Sequence, residues 1–345
     1  AVRSSGTGEL NNNGVINAGL SNLAVYNDGT FNMNSGSIVS NGLASVGIYS
    51  EAGNTDTNLK GGSIRAENGG IGLYAGNNSV INLHEGLNLS SGNKGLLFYN
   101  YDNFTVSGKY DLTGNVGASV ENGGSAFYVK EGSSITDYLN SSFTGSGKLD
   151  LTMGSGSKLY ILEGTGTTLS LSSLDGMVNP GSSLTGNVVI SSASAGDYIP
   201  LSMNKGALIL DRNVNLDSNG ELYKRSEFSS VKVDLTSGNS ITGSQSDQVG
   251  IAQRNYENSS GKEAVKITND GSIILTGNNV TGIASDYGHI VNNNIIKTTG
   301  DKSVAIYSAN GTRTENNGEI TIGGNNSAGI YGANYLDGVN SSSVL

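Results

Sequence analysis

The chain has 345 residues, with 52 glycines, 2 prolines, 2 histidines and no cysteine or tryptophan, and a net charge of −10. That charge excludes nucleic-acid binding, which needs clustered lysine and arginine, and the missing cysteine excludes disulfide frameworks and thiolate metal sites. No stretch reaches the roughly 20 apolar residues of a membrane helix, so no membrane insertion by this segment is expected. The charged fraction is only 14% against 35% hydrophobic residues set in short alternating runs. This is the balance of an ordered β-rich chain and not of a disordered one.

In chain order, the first recognisable element is Ala24-Val25-Tyr26, a small residue, an aliphatic and a tyrosine. A turn and an alternating run follow in Asn27-Asp28-Gly29-Thr30-Phe31-Asn32-Met33, and then Gly36-Ser37-Ile38-Val39. The phrase returns as Gly47-Ile48-Tyr49, Gly72-Leu73-Tyr74, Leu97-Phe98-Tyr99 and Ala126-Phe127-Tyr128, with tyrosine spacings of 23, 25, 25 and 29 residues. Gly62-Ser63-Ile64-Arg65 and Asn78-Ser79-Val80-Ile81-Asn82-Leu83 repeat the other two elements. From Gly164 to Lys262 the phrase is lost, and both prolines fall here, Pro180 and Pro200, although runs such as Ala207–Leu210 and Val231–Leu235 keep the apolar alternation. Regularity resumes with Asn269–Leu275, Ala305-Ile306-Tyr307, Asn317–Ile322 and Gly329-Ile330-Tyr331.

A fixed period of about 24 residues marks a stacked repeat architecture. Three short strands per period, parted by Gly/Asn/Ser turns, predict a right-handed parallel β-helix, a solenoid of about fourteen turns. No repeat shows a 3.6-residue apolar period, so no helix is expected. The predicted organisation is regular rungs over 1–163, irregular rungs with loop excursions over 164–262, and regular rungs over 263–345. The close at Ser341-Ser342-Ser343-Val344-Leu345 reads as the end of an excised piece.

Strict strand alternation puts Val46 and Ile48 on one face and Gly47 and Tyr49 on the other. The same rule separates Ile71/Leu73 from Gly72/Tyr74, and Val304/Ile306 from Ala305/Tyr307. With the aliphatic set inside, the expectation is a continuous Val/Ile/Leu core and an outer column of Tyr26, Tyr49, Tyr74, Tyr99 and Tyr128 lying over small residues. That column is the first candidate binding surface, because aromatic rings are rigid amphipathic contacts. The second is the irregular middle, with Lys224, Arg225, Arg254 and Tyr256, since loops departing from a rigid scaffold commonly carry binding.

No catalytic constellation stands out. The acids Asp111, Asp150, Asp175, Asp211, Asp217 and Asp234 do not recur beside another acid and a base at turn spacing, as glycoside cleavage needs. His84 and His289 read as ordinary surface residues, and no metal or cofactor is expected. The asparagine runs Asn11–Asn13 and Asn292–Asn294 are expected to stack as hydrogen-bonded ladders at turns.

The cadence Ala-Ser-Val-Gly-Ile-Tyr (44–49), Lys-Ser-Val-Ala-Ile-Tyr (302–307) and Asn-Ser-Ala-Gly-Ile-Tyr (326–331), interleaved with Asn-Asn-Gly-x-Ile turns, resembles the passenger repeats of very large type V autotransporter adhesins of fusobacteria. The resemblance covers 1–130 and 263–345 well and the middle poorly. It implies a monomeric stalk displayed on the bacterial surface through an outer-membrane barrel outside this chain. It implies adhesion to host cells or other bacteria through protein or glycan receptors, with no shared catalytic residues. The competing expectations are a polysaccharide-cleaving enzyme on the same fold, and a spacer whose binding site lies elsewhere.

Overall fold

The structure, a computed structural model, describes residues 2–51, 53, 55–100, 108–193, 198–254, 265–336 and 339–344, with side chains to Ala333. It is a parallel β-solenoid of about 12 turns with about 25 residues each. The fourteen turns expected from length alone are too many because excursions consume residues outside the turns: a helix at Ile135–Ser142, a 3-10 turn at Ser172–Leu174 and an antiparallel bridge between Ser183 and Val189. By internal contacts the chain forms two units, residues 1–162 with 176–202, and residues 163–175 with 203–345.

In the first unit each turn contributes up to three strands. One face stacks Val46–Ser50, Ile71–Ala75, Leu96–Asn100 and Ser125–Val129 in parallel. A second stacks Asp56–Leu59, Val80–Leu83, Lys109–Leu112 and Phe143–Gly145. A third stacks Val15–Ala18, Ser37–Asn41, Gly62–Glu67, Leu87–Ser91, Val116–Val120 and Leu149–Met153. The long strand Leu23–Met33 runs through the first two faces, pairing with both Val46–Ser50 and Asp56–Leu59.

The core column on the first face reads Val25, Ile48, Leu73, Phe98, Phe127 and Tyr160 in register, each almost without solvent exposure. It is aliphatic for three turns and aromatic thereafter, which corrects the expected Val/Ile/Leu core. Phe98 meets Tyr110 edge-on at 5.0 Å and Phe143 at 5.2 Å, and stacks on Phe127 at 5.6 Å. The helix Ile135–Ser142 closes on this cluster, and its presence corrects the expectation of no helix. Its buried Ile135, Tyr138, Leu139 and Ser142 follow helical spacing, and Ser134 caps it by accepting from the Asp137 N–H. The buried phenols are partly satisfied: Tyr110 donates to the carbonyl of Tyr99 at 2.9 Å, and Tyr138 to Asn100 Oδ1 at 3.2 Å.

The alternation around the tyrosine phrase also differs from expectation. Gly47 faces inward together with Ile48: a Cβ on Gly47 would lie 2.6 Å from the Gly72 carbonyl oxygen and 3.4 Å from Cγ2 of the core residue Ile38. A Cβ on Gly72 would point to Ile64 Cγ2. Larger residues at this position, Leu97 and Leu159, are fully buried. Both residues before the tyrosine thus face inward, while the residue ahead of them varies, buried at Val46 and half-buried at Ile71 and Leu96. Two consecutive inward residues break the two-residue period, as a bulge does. At Gly47 the first obstacle to a side chain is the carbonyl oxygen of Gly72 on the adjacent turn.

The second unit repeats the three-face plan with Thr168–Ser170, Ala207–Leu210, Lys232–Leu235, Lys266–Asn269, His289–Asn292 and Arg313–Asn316 on one face. Ser240–Gly243, Ser272–Leu275, Ile295–Thr298 and Glu319–Ile322 form another. Val249–Arg254, Thr281–Asp286, Val304–Ala309 and Ala328–Leu336 form the third, where Val339–Val344 then adds an antiparallel strand.

One inner column here reads Leu210, Leu235, Asn269, Asn292, Asn316. Asn269 donates to Asn292 Oδ1 and Asn292 to Asn316 Oδ1, both at 2.7 Å, and the first two side chains are wholly buried. The ladder pairs the side-chain N–H groups of Asn269 and Asn292, which would be costly to bury unpaired, while Asn269 Oδ1 accepts no hydrogen bond. Asn292→Leu is expected to cost about 2 kcal/mol by removing the acceptor of the buried Asn269 amide. Leu235 shows that the column takes leucine, so the double change Asn269→Leu/Asn292→Leu is expected to recover most of that loss. Urea unfolding midpoints of the three chains check both statements.

Asp217 ties neighbouring turns together. Its carboxylate accepts from the N–H of Ser244 at 3.0 Å, from Ser244 Oγ at 2.8 Å and from Gln248 Nε2 at 2.9 Å. These bonds, the backbone one foremost, hold its carboxyl down to about 2. A carboxyl depressed on folding adds stability that is present above its unfolded value near 4 and is lost as pH falls through about 2. Asp217→Asn is therefore expected to flatten the fall in melting temperature between pH 4 and pH 2 relative to the parent, read by circular dichroism.

Candidate functional site

The tyrosine column of the first unit is a continuous stack. Tyr26, Tyr49, Tyr74 and Tyr99 are in register on successive turns, and Tyr128 follows. Ring centroids are 5.5, 4.7, 4.8 and 5.2 Å apart down the column. Each ring is half-buried, because its faces are largely taken by its neighbours. At one end the Arg3 guanidinium lies 5.2 Å from the Tyr26 ring centre, a cation–π contact. At the other, Tyr128 is in register with Ile161. The surface presented outward is thus ring edges and hydroxyls. The Tyr26 hydroxyl donates to Glu51 Oε2, and this bond beside a carboxylate pushes the phenol up to about 12.

Of the residues named in the irregular middle, the described ones lie on two elements, a short helix and a strand. Lys224 and Arg225 end the short helix Leu222–Arg225, where Lys224 Nζ donates to the Leu216 carbonyl at 2.9 Å. Arg254 ends the strand Val249–Arg254, with its Nε 3.2 Å from Asp286 Oδ2. Tyr256 lies outside the described residues. His84 Nδ1 is 2.8 Å from Thr113 Oγ1. His289, expected at the surface, is buried with its Nε2 3.2 Å from Glu315 Oε1, because the acid of the next turn lies against it. Among the described residues no cluster of three or more His, Cys, Asp or Glu is placed to hold a metal ion.

Arg254 does belong to a site that the sequence reading missed. The second unit has an outer column of its own, Ala252, Ala284, Tyr307 and Tyr331 in register. Tyr307 and Tyr331 stack at 5.7 Å with an 18° interplanar angle, as in the first unit. At the two preceding turns alanine stands where tyrosine would be, and a surface pocket of about 570 Å³ opens over the alanines. Its lining includes Phe228, Ala252, Ala284, Tyr307, Arg254, Asp286 and Asn310. Phe228 is held by stacking on Tyr223 at 5.6 Å, and Tyr223 is anchored by its hydroxyl on the Gly250 carbonyl at 3.0 Å. Asn310 Nδ2 donates to Asp286 Oδ1 at 2.7 Å, so Asp286 is gripped by an amide and a guanidinium.

The signal for this site was in the sequence. Val249-Gly250-Ile251-Ala252 and Thr281-Gly282-Ile283-Ala284 are the repeated phrase with alanine in place of tyrosine. A second, polar hollow of about 380 Å³ lies on the third face of the first unit, lined by Ser63, Asn88, Ser90, Ser119, Asp150 and Thr152 among others. Nearby, Arg65 is held by Glu67 and Glu121, each at 2.7 Å.

No protein-family model matches the chain, and neither a curated protein nor a solved structure is significantly similar to it. Among the described residues no helix is long and apolar enough to cross a membrane.

Proposed function

We propose that the chain is a stretch of a bacterial surface adhesin passenger, a binding scaffold without catalytic activity that attaches to a receptor on host cells or other bacteria. The observation that carries this reading is the pocket at the break in the outer tyrosine column, where aromatic and charged side chains converge on a rigid parallel scaffold. Rigid elements hold such a constellation in place before a partner arrives, which lowers the ordering cost of binding. The passenger cadence at 44–49, 302–307 and 326–331 supports display at the bacterial surface through a barrel outside this chain.

The unbroken column over Tyr26–Tyr128 has a structural role in this account. Its rings cover each other and fix the register between turns, and the receptor contact is assigned to the pocket instead. A screen of the intact chain, as a soluble monomer, against bacterial cells, host cells and glycan arrays tests the proposal. Saturable binding to a cell surface is expected. Absence of binding on every surface, or turnover of a polysaccharide by the chain, would overturn it.

A further inference from the structure

We propose that the break in the outer column of the second unit is a receptor for a phenol ring, the tyrosine side chain of a partner polypeptide. The proposal rests on reading the chain as a binding scaffold and specifies what that scaffold takes. The column itself shows what fits. Wherever it is filled, one tyrosine ring per turn lies on the outer surface at a centroid spacing of 4.7 to 5.7 Å. At Ala252 and Ala284 two successive turns supply no ring of their own at this position, and Phe228 and Tyr307 belong to the lining of the pocket that results. Its volume of about 570 Å³ accommodates an inserted aromatic side chain.

The polar groups of a filled position are also in place. In the first unit the Tyr26 hydroxyl donates to Glu51, which stands two residues after the tyrosine of the next turn, Tyr49. Asp286 stands two residues after Ala284, the same offset on the turn that follows Ala252. A ring over Ala252 would therefore bring its hydroxyl to a carboxylate, as Tyr26 does. Asp286 already accepts from Asn310 and pairs with Arg254, and a carboxylate has lone pairs for a further donor. Arg254 also supplies a cation at the pocket, as Arg3 does over Tyr26, which complements an electron-rich phenol face. Stacking, an acceptor for the hydroxyl and a nearby cation are together the recognition set of a tyrosyl side chain.

The test is a titration of the full chain, carrying ¹³C-methyl alanine, with N-acetyl-tyrosinamide, N-acetyl-phenylalaninamide and methyl β-galactoside. Saturable shifts of the Ala252 and Ala284 methyls with the tyrosine probe are expected, with the phenylalanine probe about tenfold weaker for want of the hydrogen bond to Asp286. Ala284→Tyr, which supplies the missing ring, is expected to abolish the shifts. Asp286→Asn, which leaves the ring positions open, is expected to narrow the preference for tyrosine over phenylalanine. Shifts at these methyls with the galactoside and not with the tyrosine probe would overturn the proposal, as would no shift with any probe. A silent pocket on a chain that still binds cells overturns the phenol site alone. Tyrosine binding without cell binding supports the site and overturns adhesion.

Discussion

Phe98→Ala is expected to lower the unfolding free energy by about 4 kcal/mol, the largest loss from any single side-chain truncation in the first unit. Phe98 is wholly buried and touches three other rings, Tyr110, Phe127 and Phe143, at centroid distances of 5.0 to 5.6 Å. Truncation removes the transfer free energy of the ring and leaves a cavity bounded by side chains from three different turns. Those turns cannot collapse inward without shifting their parallel registers, so little of the void is refilled. Because each turn is stabilised mainly by its neighbours, a defect at this turn weakens both interfaces it makes. Ile48→Ala, in the same column but in its aliphatic part, is expected to cost less, about 3 kcal/mol. Urea unfolding followed by far-ultraviolet circular dichroism gives both values.

Gly300→Ala is expected to cost about 3 kcal/mol although it adds a single methyl group. Gly277, Gly300 and Gly324 follow the strands of one face of the second unit at equivalent points of successive turns. A Cβ on Gly300 would fall well inside van der Waals contact of the Gly277 carbonyl oxygen, and one on Gly324 inside that of Gly300. The obstacle is backbone, which cannot rotate aside as a side chain can. Relief therefore requires neighbouring turns to separate, and the ladder bond from Thr299 N–H to the Leu275 carbonyl, 3.1 Å, would lengthen with them. Gly220→Ala, where nothing stands within 4 Å of the added carbon, is the matched control and is expected to stay within about 0.5 kcal/mol of the parent. The same unfolding experiment reads both.

The period, the parallel stacking and the outward tyrosines were legible in the sequence because each turn repeats the same demand at the same place. The direction of the residue before each aliphatic was not. A two-residue alternation assigns Gly47 to the outside, whereas a Cβ there would point to the core residue Ile38, on the inner side with Ile48. Glycine carries no side chain whose polarity would reveal this, and the buried Leu97 and Leu159 at the same position were the available clue. The helix Ile135–Ser142 escaped notice because only four of its residues are buried and one of those is a serine. Two alanines hid the pocket, since a search for repeated tyrosines passes over the turns that lack them. Phe228 carries no sequence signal of its own and matters because the fold brings it to the pocket over Ala252 and Ala284, whereas Asp286 repeats the offset of Glu51 from Tyr49.

The central claim is that residues one period apart lie in register on adjacent parallel turns, with Tyr26, Tyr49, Tyr74 and Tyr99 forming an outer column in the first unit. The chain has no cysteine, so paired substitutions test this directly. Tyr49→Cys/Tyr74→Cys places two thiols on adjacent in-register positions, where strands lie about 4.8 Å apart, within reach of a disulfide. Tyr49→Cys/Tyr99→Cys places them two turns apart, about 10 Å, beyond that reach. Under mild oxidation of the folded chain at low concentration, the first pair is expected to close an intramolecular disulfide and the second to remain as thiols, by mass spectrometry after alkylation. Equal disulfide yields in the two chains, or closure of the second pair alone, would contradict the register on which the rest depends.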